Sequence, residues 1–197
     1  MVPCIMDVAE AKKKFEGLYE GIDGYGLSKT AQAKLSYYYN AHIYGEIDFD
    51  SFRSILTKTN PKQNEIFYDL GSGTGKAVIL AALCFPFSKC IGVEKLDELY
   101  ESSVETAKKA KLPNVEFIHA DFNHADFSDG DVIYLNSYYF RYEMANSRFK
   151  KYFYALKPGT RLIFVQTPLD DPELEIIHEG DCEFSWGMST VFISRKL

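Results

Sequence analysis

Three glycines alternate with polar residues in the segment Asp69-Leu70-Gly71-Ser72-Gly73-Thr74-Gly75-Lys76, which follows a short apolar run. Because glycine has no Cβ, its backbone can come very close to a bound molecule. A helical pattern begins directly after the turn, so the first amide groups of that helix would point at the same place. Asp69 adds a carboxylate that can bind a cationic group. The segment is therefore predicted to be a ligand-binding turn between a strand and a helix.

The spacing of these glycines distinguishes three classes of ligand. A dinucleotide fingerprint needs glycine at the sixth position, where this chain has Lys76, and no Gly-Lys-Ser/Thr follows as a P-loop requires. Glu94 ends the next apolar run about twenty residues after the turn, where a carboxylate binds ribose hydroxyls in nucleotide-binding α/β folds. Two carboxylates with alternating glycines favour S-adenosylmethionine, which has a ribose, an ammonium and a sulfonium but no phosphate. An ordinary tight turn is the alternative.

Alternating apolar and helical segments predict the elements that position these residues. Strands are predicted at 66–70, 90–94, 115–119, 131–136 and 161–166, with helices at 77–83, 97–111 and 143–156. This order predicts a parallel sheet with helices on both faces. Two further β segments, at 174–177 and 190–195, have no helix between them. They are predicted to be antiparallel neighbours linked through the regions of Gly180 and Gly187. Such an α/β sheet resembles the Rossmann-like sheet of class I methyltransferases.

The first part of the chain has a different pattern from the rest. Residues 1–60 are rich in Lys, Glu, Tyr and Ala and contain no clear β segment. They are predicted to be a short N-terminal helical segment with a loop that covers the ligand, and residues 61–197 are predicted to be the ligand-binding domain. Asp48 or Asp50 is expected to cap a short helix that runs through Leu56.

Composition excludes several classes of function. The chain has 197 residues, of which 46% are hydrophobic, and a net charge of −6. The acidic balance argues against broad binding to nucleic acid, which needs clustered Lys and Arg. No apolar stretch approaches the roughly 20 residues that cross a bilayer, and the N-terminus lacks a signal-peptide layout. We therefore expect a soluble intracellular protein, cytoplasmic or nuclear, with neither strong nucleic-acid binding nor membrane binding.

The sequence favours no metal site. His119 and His124 are each followed two residues later by an aspartate, but no second cluster of His or carboxylate residues completes a coordination shell. The four cysteines show no Cys-x-x-Cys spacing. Cys84 and Cys90 lie in apolar runs and are expected to be buried thiols of a reducing compartment.

Polar and aromatic residues follow the later strands, at the edge where α/β sheets bind ligands. Asp121 is placed to accept from an adenine amino group and Phe122 to cover the ring, with a helix cap and a core phenylalanine as the alternative.

The catalytic candidates are Asn136, Tyr138 and Phe140. If the cofactor transfers its methyl group to a lysine amine, an aromatic wall suits that amine. Apolar surroundings lower the pKa of the amine, and ring faces stabilise the methylated ammonium that forms. A buried aromatic strand end is the alternative.

An ordered set of motifs resembles the disruptor-of-telomeric-silencing (Dot-one) family of histone lysine methyltransferases, over about residues 40 to 195. The motifs are Tyr44-Gly45-Glu46-Ile47, the glycine-rich segment 69–75, Gly92-Val93-Glu94-Lys95, Asp121-Phe122, residues 136–140 and Ser185-Trp186. The glycine motif is common to many folds, whereas Tyr-Gly-Glu with Gly-Val-Glu-Lys and a late Ser-Trp is much more specific. The resemblance implies a class I methyltransferase fold rather than a SET domain.

The resemblance also implies a role for each matched residue. The cofactor-binding residues are expected to be Tyr44, Glu46, Asp69, Gly71, Ser72, Gly73, Thr74, Gly75, Lys76, Glu94, Asp121 and Phe122. Tyr44 and Glu46 would lie in a loop that closes over S-adenosylmethionine, and Glu94 would take its ribose hydroxyls. Asn136 and Phe140 would line the channel of the acceptor lysine. The hairpin around Trp186 and Phe192 would be its outer wall.

Three departures from the family pattern bear on the substrate. Lys76 stands where glutamine is usual, the N-terminal helical part is short, and the sequence given lacks the basic extension with which family members hold nucleosomal DNA. The expected substrate is therefore a protein lysine, with a histone as one possibility. Two alternatives stay open: methylation of another protein group or a small molecule, and a non-catalytic module that binds S-adenosylmethionine.

Overall fold

The structure is a computed structural model that describes residues 6–35, 44–136 and 147–197. Within these residues the strands of one seven-stranded sheet are β1 (Ile66–Leu70), β2 (Lys89–Glu94), β3 (Val115–His119), β4 (Val132–Leu135), β5 (Arg161–Val165), β6 (Leu174–Phe184) and β7 (Gly187–Lys196). Their order across the sheet is β3-β2-β1-β4-β5-β7-β6. Strands β1 to β5 are parallel, and β7 is antiparallel to both β5 and β6. The predicted parallel sheet with an antiparallel C-terminal hairpin is confirmed.

The hairpin is longer than its sequence pattern indicates. Strand β6 has 11 residues and β7 has 10, and Gly180 lies inside β6 rather than in the connection. The chain reverses at Ser185 and Trp186, where Gly187 has a φ of +117°. Acidic residues alternate with small or polar ones along the second half of β6, which forms an edge of the sheet. The apolar signal that marks a strand is therefore weak there.

The described α-helices are α1 (Val8–Tyr19), α2 (Gly24–Ala33), α3 (Phe49–Lys58), α4 (Lys76–Cys84), α5 (Asp97–Ala110) and α6 (Ser147–Tyr154). Asp48 is the residue that caps α3, because its carboxylate accepts from the Ser51 N–H at 3.0 Å. The helix predicted at 143–156 is observed as α6, and its first predicted residues lie outside the described residues. None of the helices in the described part of the chain is long and apolar enough to cross a membrane.

Helix α4 is buried on every side. Its side chains from Ala77 to Leu83 are all buried, as expected for a helix that is apolar all round. Phe15 of α1, Phe52 of α3 and Phe67 of β1 belong to the core cluster that covers it. Since burying one such side chain stabilises a fold by about 1.5–3 kcal/mol, this cluster holds the start of α4 firmly against the sheet.

Helix α6 covers the opposite face of the sheet. Its residues Phe149 and Phe153 pack with Leu162 of β5 in a second core cluster, so helices lie on both faces. The strand order reverses between the neighbours β1 and β4. In open α/β sheets, ligands bind outside the carboxyl ends of the strands at such a reversal.

Arg161, at the amino end of β5, joins the sheet to the end of helix α3. The residue is 9% exposed, and its guanidinium donates to both oxygens of Glu65 at 3.0 and 2.5 Å. Its Nε donates to the carbonyl oxygen of Thr59, the residue that ends α3, at 3.0 Å. One buried side chain of β5 therefore fixes the end of α3 and the entry into β1.

Candidate functional site

A cleft of about 220 Å³ opens at the carboxyl ends of β1, β2 and β4. Twelve of the predicted site residues line it: Tyr44, Glu46, Asp69, Gly71, Ser72, Gly73, Thr74, Lys76, Glu94, Asp121, Phe122 and Asn136. These residues come from separate segments of the chain, and parallel strands bring their ends to one edge. Tyr138 and Phe140 lie outside the described residues.

The glycine turn needs glycine for its backbone and for its clearance. Gly71, Gly73 and Gly75 have φ values of +91°, +54° and +83°, which side-chain-bearing residues rarely adopt. The Gly71 and Ser72 N–H groups donate to the carbonyl oxygen of Val93 at 2.8 and 3.0 Å, which fastens the turn to β2. A Cβ on Gly73 would lie 2.9 Å from the ring of Tyr44.

Gly75 differs from its neighbours because it does not itself line the cleft. It is the N-cap of α4, and a Cβ there would lie too close to the Phe117 ring of β3. Gly92 of β2 faces the same ring and the Ser72 hydroxyl, again with no room for a Cβ. These two glycines allow the turn, α4 and the sheet to pack closely.

Glu94 supports the glycine turn from β2. Its Oε2 accepts from the Gly73 N–H at 2.7 Å, and its Oε1 accepts from the Lys95 and Leu96 N–H groups at 2.8 Å each. Burial raises the pKa of Glu94, and the three N–H donors partly offset this. A carboxylate has about four acceptor positions, so about one remains for a ligand in the cleft.

Asp69 forms part of the cleft wall at the end of β1. It is 3% exposed, and its carboxyl has no hydrogen-bond partner among the described residues. Burial raises the pKa of Asp69 well above its usual range, and the nearby Glu94 carboxylate raises it further. An unpartnered buried carboxyl that faces a cleft is suited to a cationic ligand group, which would stabilise its ionised form.

A network of polar side chains closes one side of the cleft. The Tyr44 hydroxyl donates to Glu46 Oε1 at 2.7 Å, and Lys76 Nζ donates to Glu46 Oε2 at 2.6 Å. Tyr44 Oη also lies 3.3 Å from the Thr74 hydroxyl. Each oxygen of Glu46 therefore accepts one hydrogen bond, and the Lys76 ammonium balances the charge of this carboxylate.

The N-terminal helices contribute to the site in a way that the sequence pattern did not indicate. The Tyr19 hydroxyl of α1 donates to the carbonyl oxygen of Thr74 at 3.2 Å, and Lys76 Nζ lies 5.4 Å from the centre of the Tyr19 ring. Gly24 begins α2 so close to the Tyr44 hydroxyl that a Cβ would overlap it. Ser28 of α2 also lines the cleft.

Asp121 and Phe122 line the cleft beside the end of β3. Asp121 accepts from the Asn123 N–H at 3.0 Å and from Lys95 Nζ at 3.2 Å. Partial burial acts to raise its pKa, but the Asn123 N–H and the Lys95 ammonium hold the pKa of Asp121 below its usual range. Asp121 is thus an ionised acceptor that also begins a short 3-10 turn.

The residues expected around an acceptor lie in different places. Asn136 follows β4 and is an exposed residue at the wall of the cleft. Trp186, which is 39% exposed, stacks on Phe184 with ring centres 4.5 Å apart and covers Gly45. Phe192 is in β7 and packs against the core cluster on the α6 side, rather than lining the cleft. Within the described residues, no group of His, Cys, Asp and Glu side chains is arranged to hold a metal ion.

Comparison with solved structures defines the class of fold. The structure of an RNA methyltransferase from Salinibacter ruber, in complex with S-adenosyl-L-homocysteine, superimposes with a TM-score of 0.59. The match covers 74% of this chain and 89% of that one at 24% sequence identity. Together with the strand order and the glycine turn, this likeness identifies a class I methyltransferase fold.

Sequence comparison then identifies the family. The family model described as histone methylation protein DOT1 matches residues 27–181. The chain belongs to this family, and the resemblance inferred from its motifs is confirmed. It is 34% identical over 155 residues to a histone-lysine N-methyltransferase, H3 lysine-79 specific, of Debaryomyces hansenii. It is also 31% identical over 112 residues to a protein-lysine N-methyltransferase of Saccharolobus islandicus.

The extent of these matches differs between the two relatives. The alignment with the Debaryomyces protein covers 70% of this chain but 13% of that protein. The alignment with the Saccharolobus protein covers 56% of this chain and 68% of that protein. The chain therefore spans a small part of the long relative and most of the length of the short one.

Proposed function

We propose that this protein is an S-adenosylmethionine-dependent protein-lysine N-methyltransferase. The observation that carries the proposal is the cleft at the reversal of strand order. There the glycine turn meets the Glu94 carboxylate and the Asp69 carboxyl, which has no hydrogen-bond partner among the described residues. The family of the chain and the names of both relatives support the same activity.

The residues of the cleft fit the chemistry of S-adenosylmethionine. The Ser72 hydroxyl is buried there without a hydrogen-bond partner in the described structure, which suits a polar ligand. The positive-φ glycines Gly71 and Gly73 present backbone rather than side chains to the cleft. The anionic groups Asp69 and Glu94 suit the ammonium and the ribose hydroxyls. Two lysines of the described residues, Lys76 and Lys95, also line the cleft, and each is paired with a carboxylate, Glu46 and Asp121 respectively.

We assign the cofactor-binding roles as follows. Asp69 and the turn at Gly71 and Gly73 would hold the methionine portion, with Lys76 as the cation near its carboxylate. Glu94 would use its remaining acceptor position for a ribose hydroxyl. The pair Asp121 and Phe122 would bind the adenine, and Tyr44 with Glu46 would cover the cofactor from the opposite side.

The remaining residues would align and desolvate the acceptor. When bound, S-adenosylmethionine supplies a methyl group on a sulfonium, so that the lone pair of a neutral amine forms the N–C bond while the C–S bond breaks onto sulfur, and the product ammonium then releases its proton to solvent. Such a displacement depends on alignment in a dry site. Asn136 can orient the amine without adding a charge that would hold it protonated. Tyr138 and Phe140 are proposed to form the aromatic wall.

The substrate is proposed to be a protein that presents an accessible lysine, and a histone is one candidate within that class. The H3 lysine-79-specific activity in the name of the Debaryomyces relative supports a histone. The Saccharolobus relative, whose length is closer to that of this chain, has the broader name protein-lysine N-methyltransferase, which supports a protein lysine without specifying a histone. The acidic net charge of −6 does not favour direct DNA binding.

Transfer of a radiolabelled methyl group to protein acceptors tests this function. The protein is incubated with methyl-labelled S-adenosylmethionine and either recombinant core histones or cell extract, and labelled proteins are identified by mass spectrometry. We expect labelled lysines, and a single-turnover rate that rises with pH as the bound amine loses its proton, since a free lysine has a pKa near 10.4. The Asp69→Asn variant is the control for cofactor-dependent labelling.

Three results would redirect the proposal. Methyl groups found only on hydroxyls or carboxylates of proteins would replace the lysine assignment. Label confined to small metabolites would indicate a small-molecule methyltransferase of the same fold. Calorimetric binding of S-adenosylmethionine without transfer to any acceptor would favour a non-catalytic binding module.

A further inference from the structure

The tip of the β6–β7 hairpin is bonded in both directions to the segment 44–47. The Ser185 N–H donates to the carbonyl oxygen of Glu46 at 2.9 Å, and the Glu46 N–H donates to Ser185 Oγ at 2.9 Å. Ile47 and Phe184 form an isolated antiparallel bridge beside these bonds. Because these contacts fix both backbone and side chain, a shift of either segment must move the other or break them.

The Ser185 hydroxyl also reaches a third element. Its oxygen lies 2.5 Å from the Tyr25 hydroxyl of α2. One exposed serine thus links the N-terminal helix α2, the segment 44–47 and the hairpin tip, which are separated by 160 and 139 positions in sequence. A hydroxyl can accept twice and donate once, so it can serve both partners together.

Glu46 connects this junction to the cleft. Its backbone is bonded to Ser185, whereas its carboxylate binds the Tyr44 hydroxyl and Lys76 Nζ inside the cleft. A bound ligand that competes for Lys76 or repels Glu46 changes these contacts directly. The backbone of the same residue then passes the change to the hairpin.

Trp186 is the hairpin residue whose position would change when Glu46 and Ser185 shift. It follows Ser185 in the hairpin turn, covers Gly45, and donates from Nε1 to the Ser189 hydroxyl at 2.9 Å. Trp186 is an exposed side chain but does not line the cleft. A change at Trp186 on ligand binding would therefore have to be transmitted through the protein.

We propose that Ser185 is a positioning residue that couples occupancy of the cleft to the placement of Trp186. This inference rests on the proposed function, because the ligand concerned is S-adenosylmethionine. Binding of the cofactor fixes the position of residues 44–47. Through its hydrogen bonds to Glu46, Ser185 then fixes the position of the hairpin tip, where Trp186 would meet an incoming acceptor. By linkage, an acceptor bound against Trp186 strengthens cofactor binding by the same factor.

The single tryptophan of the chain makes this coupling measurable without a known acceptor. Emission of Trp186 is recorded while S-adenosylhomocysteine is titrated into the full chain, and calorimetry measures the affinity of the same samples. We expect a saturable emission change in the wild type that falls at least two-fold in Ser185→Ala, with the calorimetric affinity within about three-fold of wild type. Tyr25→Phe should give an intermediate reduction, and Ser185→Thr, which keeps the hydroxyl, should restore the signal.

Ser128→Ala is the matched control, because it removes a serine hydroxyl that bonds to Asp126 in the loop before β4, at the other end of the sheet. It should keep the full emission change. The coupling is overturned if Ser185→Ala binds S-adenosylhomocysteine and keeps the wild-type emission change, or if the wild type shows binding heat without any emission change. Absence of binding heat in the wild type would instead overturn the proposed function and the coupling with it.

Discussion

Replacing Glu94 with glutamine tests how the glycine turn is held. In the wild type the two carboxylate oxygens accept three backbone N–H groups, from Gly73, Lys95 and Leu96. The glutamine oxygen can retain the two donors at Lys95 and Leu96, but its NH₂ group then faces the Gly73 N–H. Two donors in contact leave that buried N–H without an acceptor, which costs about 1–3 kcal/mol.

A second effect decides where in this range the result should fall. Burial raises the pKa of Glu94, which shows that its charge is costly there, and the neutral amide recovers part of that cost. We therefore expect the free energy of unfolding to fall by about 1–2 kcal/mol, or about 2–8 °C in Tm for a chain of this size. Affinity for S-adenosylhomocysteine should fall about ten-fold or more, since a hydrogen bond to a charged group contributes about 1.5–3 kcal/mol.

Thermal unfolding and titration calorimetry on Glu94→Gln give both numbers. Glu105→Gln, on the exposed face of α5, is the control and should match the wild type. A variant with a wild-type Tm and a wild-type Kd would refute the role of this carboxylate in the turn. A lowered Tm with an unchanged Kd would keep the supporting role and refute the assignment to the ribose.

Three further predictions concern the same cleft. The raised pKa of Asp69 means that cofactor affinity should decrease as pH falls through that pKa, because the protonated carboxyl no longer attracts an ammonium. Because the folded state has the higher pKa, the free energy of unfolding should fall as pH rises from the ordinary carboxyl pKa to the raised one. Asp69→Asn should remove both dependences and raise Tm at neutral pH, as measured by calorimetry and thermal unfolding over a series of acidic to neutral pH values. Lys76→Met should weaken S-adenosylhomocysteine binding by about 1–2 kcal/mol through loss of the partly buried cation, and an unchanged Kd would remove Lys76 from the site. Limited proteolysis near Tyr44 should slow when S-adenosylhomocysteine is added, and equal cleavage with and without ligand would indicate a static segment.

Local patterns in the sequence predicted most of the sheet. Strands β1 and β3 have the predicted bounds, β2 and β5 differ by one residue at one end, and β4 differs by one residue at each end. Each is a short apolar run bounded by glycine, proline or polar residues, so both its composition and its length match those of a buried strand. Strand β6 was predicted with four residues and has 11. The prediction stopped short because the later half of β6 has an acidic residue at every second position and so lacks the apolar pattern of a strand.

The site was predictable where it depends on strand ends and not where it depends on distant contacts. The positions of Asp69 and Glu94 follow from the ends of β1 and β2, because parallel strands end at one edge. The contacts of Tyr19 with Thr74 and of Tyr25 with Ser185 join residues 55 and 160 positions apart. No periodicity along the chain encodes such pairs, which arise only when α1 and α2 pack over the cleft.

The clamp made by Arg161 has a consequence for how the protein opens. The same side chain bonds to the end of α3 and to Glu65, and aromatic residues of α1 and α3 share one core cluster with β1. Amide hydrogens of α3 and of β1 should therefore give the same free energy of opening in native-state hydrogen exchange, because one common opening exposes both. An Arg161→Met variant should uncouple the two, so that α3 exchanges faster while β1 stays protected. Fast opening of α3 alone would expose α4 and the glycine turn that precedes it. The Arg161 guanidinium, at the amino end of β5 and away from the cleft, therefore helps to determine how long the cleft stays intact.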